Sequence, residues 1–154
     1  MARAIPEKPS RERAIIAAQA ADAKKATDIM IQEVTELIGV TDYFVIVTAA
    51  NDRQVMAIVD AIEEDVLEKG GSKPMHRETA DQMWMLLDYG DVVVHVFQPE
   101  ARDYYRLEQL WNDAPVIDLA AEAGLTDVVY SDRIAKLMER AKADAPAADP
   151  NLEA

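Results

Sequence analysis

The sequence has no cysteine. Disulfides, a thiolate nucleophile and cysteine-ligated zinc are therefore excluded. Glycine is also scarce, five residues in 154. Neither a Gly-x-x-x-x-Gly-Lys nor a Gly-x-Gly-x-x-Gly segment occurs, so no glycine-rich phosphate cradle is available. No serine sits in a nucleophile elbow. No apolar run approaches the roughly 20 residues needed to span a bilayer, and Met1 to Pro9 lacks the apolar core of a signal peptide. A cytoplasmic protein with no membrane contact is expected. Positive charge is in short supply: 16 Lys and Arg stand against 29 Asp and Glu, a net charge of −13. Such a surface does not track a nucleic-acid backbone. Little direct nucleic-acid contact is expected, and a basic partner suits the charge.

What is present is a chain of ordinary globular composition, 50% hydrophobic and 29% charged. Its length is that of one domain. Folding at this size buries roughly two thirds of the unfolded surface. The scarce positive charge is unevenly placed. Six basic and three acidic residues fall within 1–25, against ten basic and 26 acidic in the remainder. A solvated helix on an acidic body is the expected reading, with a basic recognition arm as the alternative.

Residues 1–9, with two prolines, read as a flexible arm. Ser10 is a candidate cap for an alanine-rich helix running from Arg11 to near Lys25-Ala26. Ile29 to Val34 reads as a strand, and Gly39 with Thr41-Asp42 as a turn. Tyr43-Phe44-Val45-Ile46-Val47-Thr48 is a strand by its β-branched and aromatic content. Asn51 caps the next helix, with Gln54 placed to close a capping box. Val55, Ile58, Val59, Ile62 and Val66 form one helical stripe. Gly70-Gly71 ends it. Lys73 to His76 reads as a short edge strand. Met83–Leu87 and Val92–Phe97 flank the turn Asp88-Tyr89-Gly90-Asp91 as a hairpin. Residues 100–111 read as one helix burying Tyr104, Leu107 and Trp111. A further helix is expected from Ser131-Asp132 to about Lys142. Residues 143–154 have the composition of a disordered tail. The order predicts an α/β (α+β) single domain, a mixed sheet of about five strands flanked by helices. The two hairpin strands are apolar on both sides. Either helices cover both faces, or one face is a patch for a partner.

Candidate chemistry is thin. Asp88, Asp91 and His95 are the only residues spaced to suggest a metal or catalytic cluster. Two Asp residues around Tyr-Gly are also what a hairpin turn wants. His76 reads as a surface residue. Acidic residues at 60–68 read as a solvated helix face, with docking of a basic protein as the alternative. Arg102 and Arg106 lie four apart, and pairing with body carboxylates is the expected reading. Trp84 stands out: a strand Trp is normally core, yet Trp is enriched among interface anchors.

Several segments, in order, carry a resemblance. They are Lys25-Ala26-Thr27-Asp28-Ile29, Thr41-Asp42-Tyr43-Phe44-Val45-Ile46, Arg53-Gln54-Val55, Trp84, Leu87 to Phe97, and Arg102 with Tyr105 to Trp111. They resemble the ribosomal silencing factors, relatives of the plant Iojap protein. The Asp-x-Gly-Asp-Val-x-Val-His block followed by Arg-x-x-Tyr-x-Leu-Glu-x-Leu-Trp is long and specific. The likeness spans residues 11–113, which makes 10–113 a silencing-factor domain and 114–142 a C-terminal extension with a helix. The sequence departs from the family at Thr48-Ala49, where Thr-Gly is usual, and at Glu78-Thr79, where Glu-Gly is usual.

The resemblance implies a nucleotidyltransferase-like fold without the enzyme's motifs, and no cofactor. It implies binding to ribosomal protein fourteen of the large subunit, which blocks joining of the small subunit and represses translation. It also implies a homodimer when free. Its tryptophan contact falls on Trp84, with Leu86 and Asp88 on the same side of the strand and Glu78 nearby. The rival readings are a metal-dependent nucleotidyltransferase-like enzyme using Asp88, Asp91 and His95, and a non-catalytic dimeric scaffold.

Overall fold

Strand pairing in this chain is organised around Tyr43–Thr48, whose residues are almost all buried. The computed structural model describes residues 5–143. Its elements run α1 (Ser10–Ala23), β1 (Thr27–Glu33), α2 (Thr35–Ile38), β2 (Tyr43–Thr48), α3 (Asp52–Gly70), β3 (His76–Asp81), β4 (Trp84–Asp88), β5 (Val92–Phe97), α4 (Pro99–Tyr105), α5 (Leu107–Leu110), α6 (Leu119–Ala123) and α7 (Asp132–Ala143). The five strands form one sheet in the order β1-β2-β5-β4-β3. Only β2 and β5 pair in parallel; the other three neighbours are antiparallel. A mixed sheet flanked by helices was the expectation, and it is the fold observed.

Alternation along the strands gives the sheet two different faces. Ile29, Ile31, Val45, Val47, Leu87, Val94 and Val96 face α1 and α3. Helix α1 presents Ala14, Ala17, Ala18 and Ala21, all fully buried, so its backbone packs close to the sheet. Helix α3 presents the stripe Val55, Ile58, Val59, Ile62 and Val66, as its spacing predicts. Asn51 caps it, accepting from the Gln54 amide at 2.9 Å. The Gln54 side chain departs from the capping box. It reaches the Ala50 amide and the carbonyls of Lys24 and Lys25, tying the helix start to the end of α1. At the far end Gly71 adopts a φ of 69°, and an added Cβ would stand 2.5 Å from the Pro6 carbonyl oxygen. The residues before α1 pass this point, where the Lys8 amide donates to Gly70 O at 2.9 Å.

The structure corrects several sequence expectations. Ser10 is the first residue of α1 and not its cap; Pro9 holds that position with no side-chain bond. The edge strand is His76–Asp81, starting after Pro74, where Lys73 to His76 was expected. Thr35–Ile38 and Leu119–Ala123 form short helices that no sequence expectation covers. The single helix expected over 100–111 is broken at Arg106, which takes a left-handed φ of 48°. Helix α4 turns Ala101 and Arg102 inward, and the break separates its period from that of Leu107 and Trp111. Tyr104 consequently lies outside, 81% exposed, and Trp111 is only half-buried. The groups turned inward are Arg102 and Glu108. Arg102 pairs with a carboxylate as expected, while Arg106 is exposed and bonds the Asp103 carbonyl.

The segment after Trp111 covers the β1 edge of the sheet. Glu33 N–H donates to Pro115 O, Ile117 N–H to Ile31 O and Asp28 N–H to Val129 O. Tyr130 Oη donates to Ile29 O at 2.7 Å, and burial with the nearby Asp28 charge pushes that phenol up to about 12. An uncovered strand edge is a template for unwanted pairing. The opposite edge, β3, is left open, and its fully exposed His-Arg-Glu-Thr-Ala-Asp sequence protects it with charge. The tail 143–154 falls outside the described residues except for Ala143, which ends α7.

Candidate partner-binding face

The second face of the sheet is only half covered. Over β1, β2 and the end of β5 it packs Met30, Ile46 and Phe97 against Ala101, Leu107, Val116, Leu137 and Met138, contributed by α4, α5, α7 and the connection before α6. Over the rest of β5, β4 and β3 the cover thins to the end of α4, whose Tyr105 ring lies against Trp84 and Phe97. Phe44 of β2, Val93 of β5, and Trp84 and Leu86 of β4 are left half-buried on this face.

All four residues named from the sequence lie on this face. Trp84, Leu86 and Asp88 alternate along β4 and stand opposite Phe97, His95 and Val93 of β5. Glu78 stands opposite Leu86 on β3 and is exposed. Its neighbour Arg77 points the other way, to Asp60 and Glu63 of α3 at 3.3 and 3.1 Å. Part of the acidic helix face is therefore engaged within the protein.

An aromatic cluster forms the floor of the patch. Trp84 stacks on Phe97 at 4.7 Å and lies 4.9 Å from the Tyr105 ring. Its indole N–H donates to His95 Nδ1 at 3.1 Å. Indole nitrogen only donates, so His95 Nδ1 must accept and the ring proton sits on Nε2. Burial, with Arg102 nearby, pushes His95 down to about 3. The imidazole is therefore neutral near pH 7. Phe44 meets the same histidine edge-on at 5.0 Å.

Sequence reasoning missed Phe44, Val93, His95 and Tyr105 as members of this face. For Val93 and His95 the signal was present, because their alternation with Val92, Val94 and Val96 sorts them onto one side of β5 together with Phe97. Tyr105 depends on the break at Arg106, which no periodicity reveals. Its hydroxyl donates to Asp81 at the end of β3, which lowers the Asp81 carboxyl and raises the phenol.

The supposed catalytic triad does not converge. Asp88 Oδ1 accepts from the Gly90 amide at 2.7 Å and shapes its own turn. Asp91 pairs with the buried Arg13 guanidinium of α1. His95 is committed to Trp84. Among the described residues no three His, Asp or Glu side chains are grouped to hold a metal ion, and no helix is long and apolar enough to cross a membrane.

Beneath α4 and α5, Arg102 is 2% exposed and reaches Glu108 Oε1 at 2.6 Å, Asp28 O at 2.8 Å and Thr48 Oγ1 at 2.9 Å. Burial lowers the guanidinium's affinity for its proton, and the Glu108 charge opposes that. Arg133 of α7 closes on Asp103 at 3.1 Å and on Glu108 at 3.5 Å. One charged cluster thus joins β1, β2, α4, α5 and α7, and fixes the segment that carries Tyr105.

Comparison with known proteins agrees with this architecture. Residues 7–149 match the family described as "Ribosomal silencing factor during starvation". The ribosomal silencing factor of Bacillus subtilis is 43% identical over 104 residues, covering 68% of this chain and 88% of that protein. The mouse protein named "Mitochondrial assembly of ribosomal large subunit protein 1" is 33% identical over 107 residues, 64% of this chain and 46% of its own length. A crystal structure of a protein from Chromobacterium violaceum superposes with a TM-score of 0.63 at 30% identity, covering 68% of this chain and 87% of that one. With the mixed five-stranded sheet, its half-covered face and a family match across most of the sequence, this chain belongs to the ribosomal silencing factor family.

Proposed function

We propose that the chain binds the large ribosomal subunit by seating the half-open sheet face on ribosomal protein fourteen, so that the small subunit cannot join and translation is repressed. One observation carries the reading: a patch of half-buried Phe44, Trp84, Leu86 and Val93 bordered by the carboxylates Glu78, Asp81 and Asp88. Apolar side chains left partly open side by side, a Trp among them, suit the anchor of an interface. Trp84 is its anchor, and Leu86, Asp88 and Glu78 flank it. The acidic border and the net charge of −13 suit a basic ribosomal protein and speed encounter with it. The name of the mouse relative points to the same subunit. In this reading the chain works by occupying a surface in the cytoplasm and runs no reaction, since Asp88, Asp91 and His95 are each engaged elsewhere.

Sedimentation of purified subunits tests the proposal. Excess protein should lower the fraction of joined ribosomes and travel with free large subunits. Trp84→Ala should weaken that association about thirtyfold, an anchor loss of ~2 kcal/mol. Unchanged joining at saturating protein, or co-sedimentation with the small subunit, would reject it.

A further inference from the structure

Helix α7 carries a local concentration of positive charge on a chain whose net charge is −13. Its inner side holds Ile134, fully buried, with Leu137 and Met138 packed on the second face of the sheet. Arg133, Lys136 and Arg140 follow at helical spacings of three and four, so they share one flank. That flank and Gln109 of α5 line a single depression of about 380 Å³, whose apolar wall is Leu137. Glu139 lies on the other flank, lining a separate cavity with residues 112–120.

The three cations are not equivalent. Arg133 is held by Asp103 and Glu108 and anchors the helix. Lys136 and Arg140 are exposed and make no ion pair among the described residues. They stand one turn apart on a helix whose position is fixed by the buried Arg102–Glu108–Arg133 cluster. Two unneutralised, long side chains at i and i+4 reach successive anionic groups along a polymer. A shallow depression with an amide on its wall suits phosphate oxygens.

We infer that the Lys136–Arg140 flank of α7 is a phosphate-backbone contact for ribosomal RNA, beside the protein-binding face. The inference rests on the proposed association with the large subunit. The net charge of −13 excludes a nucleic-acid surface for the chain as a whole, but α7 is a local exception. The contact is small, two phosphates, and sets orientation more than sequence preference. With Glu78 and Asp81 at the β3 side of the second face and Lys136 and Arg140 on the α7 side, the molecule presents opposite charges at its two margins. An RNA-protein boundary matches that polarity and an all-protein surface of one sign does not.

The test uses the full chain, isolated large subunits and purified ribosomal protein fourteen. Lys136→Ala with Arg140→Ala should weaken binding to large subunits about tenfold at 50 mM salt. The slope of log affinity against log salt should shrink in magnitude by about 1.5, the share of two phosphate contacts. Lys136→Arg with Arg140→Lys should keep the wild-type slope. Binding to the purified ribosomal protein and the melting temperature should not change. Unchanged affinity for subunits overturns the inference, and so does a loss without a change in slope. Equal loss against the purified protein also overturns it, because the flank then meets an acidic protein surface. Failure of the wild type to bind the purified protein, while the slope effect on subunits persists, rejects the proposed protein contact and leaves the phosphate contact standing.

Discussion

The Trp84 indole N–H donates to His95 Nδ1 across 3.1 Å, linking β4 and β5 on the half-open face. The bond requires a neutral imidazole. Protonation would put a hydrogen on the accepting nitrogen and a charge into a site that is 5% exposed. The anchor of the patch and the one buried histidine are therefore a single unit.

A pH dependence follows from this pair. Unfolded His95 takes up its proton near the ordinary value of 6.5, while the folded residue is pushed down to about 3. Between those values the unfolded chain holds more protons, so stability falls as pH falls. At pH 5 the loss from this group is about 2 kcal/mol relative to pH 7. His95→Gln keeps an acceptor for Trp84 and does not titrate. Urea unfolding from pH 7 to 5 should show a flatter stability profile in His95→Gln by that amount. Parallel profiles would show that His95 does not carry the effect.

The Arg102–Glu108 pair should behave as a unit in denaturation. Removing Arg102 leaves the buried Glu108 with only its longer 3.5 Å contact to Arg133, at a cost of about 3–5 kcal/mol. Arg102→Met alone should lower the urea midpoint strongly. Joining it with Glu108→Leu should recover much of the loss, because the stranded charge is gone. Equal losses in the single and double variants would mean that the contacts of Arg102 with Asp28 O and Thr48 dominate instead.

Gly71 should tolerate no side chain. Its φ of 69° is strained for other residues, and a Cβ would press on the Pro6 carbonyl at 2.5 Å. Gly71→Ala should cost about 1–3 kcal/mol. Gly39, with a φ of 85° but nothing within 4 Å of an added Cβ, is the control and should suffer only the backbone part. A Gly71→Ala variant as stable as Gly39→Ala would show that the chain around Pro6 yields freely.

The sequence by itself determined the parts whose signals are local. Tyr43–Thr48 and Val92–Phe97 match their expected strands residue for residue. The Asn51 cap, the five-residue stripe of α3 and the Gly71 stop are also where spacing placed them. Each rests on a repeat period or a capping group that acts within a few residues. Trp84, Leu86 and Asp88 share a face because side-chain alternation on a strand has a fixed period of two, whereas Glu78 joins them only through the pairing of β3 with β4.

Tertiary structure decided the rest. Helix 100–111 breaks because Arg102 and Glu108 are drawn inward to meet each other and the ends of β1 and β2, which forces Arg106 into a left-handed conformation. The contacts of Arg102 with Asp28 and Thr48, far away in sequence, override the local period; Tyr105 joins the patch and Tyr104 turns out to solvent. Which face stays open was equally invisible. Both hairpin strands are apolar on both sides, and only the packing of α1 and α3 on one face, and the limited reach of α4, α5 and α7 across the other, leaves Trp84 half-buried. The extension after Trp111 reads as featureless because its role is to satisfy the open backbone of β1. Backbone hydrogen bonds to a distant strand make no demand on side-chain pattern, and so leave no trace in the sequence.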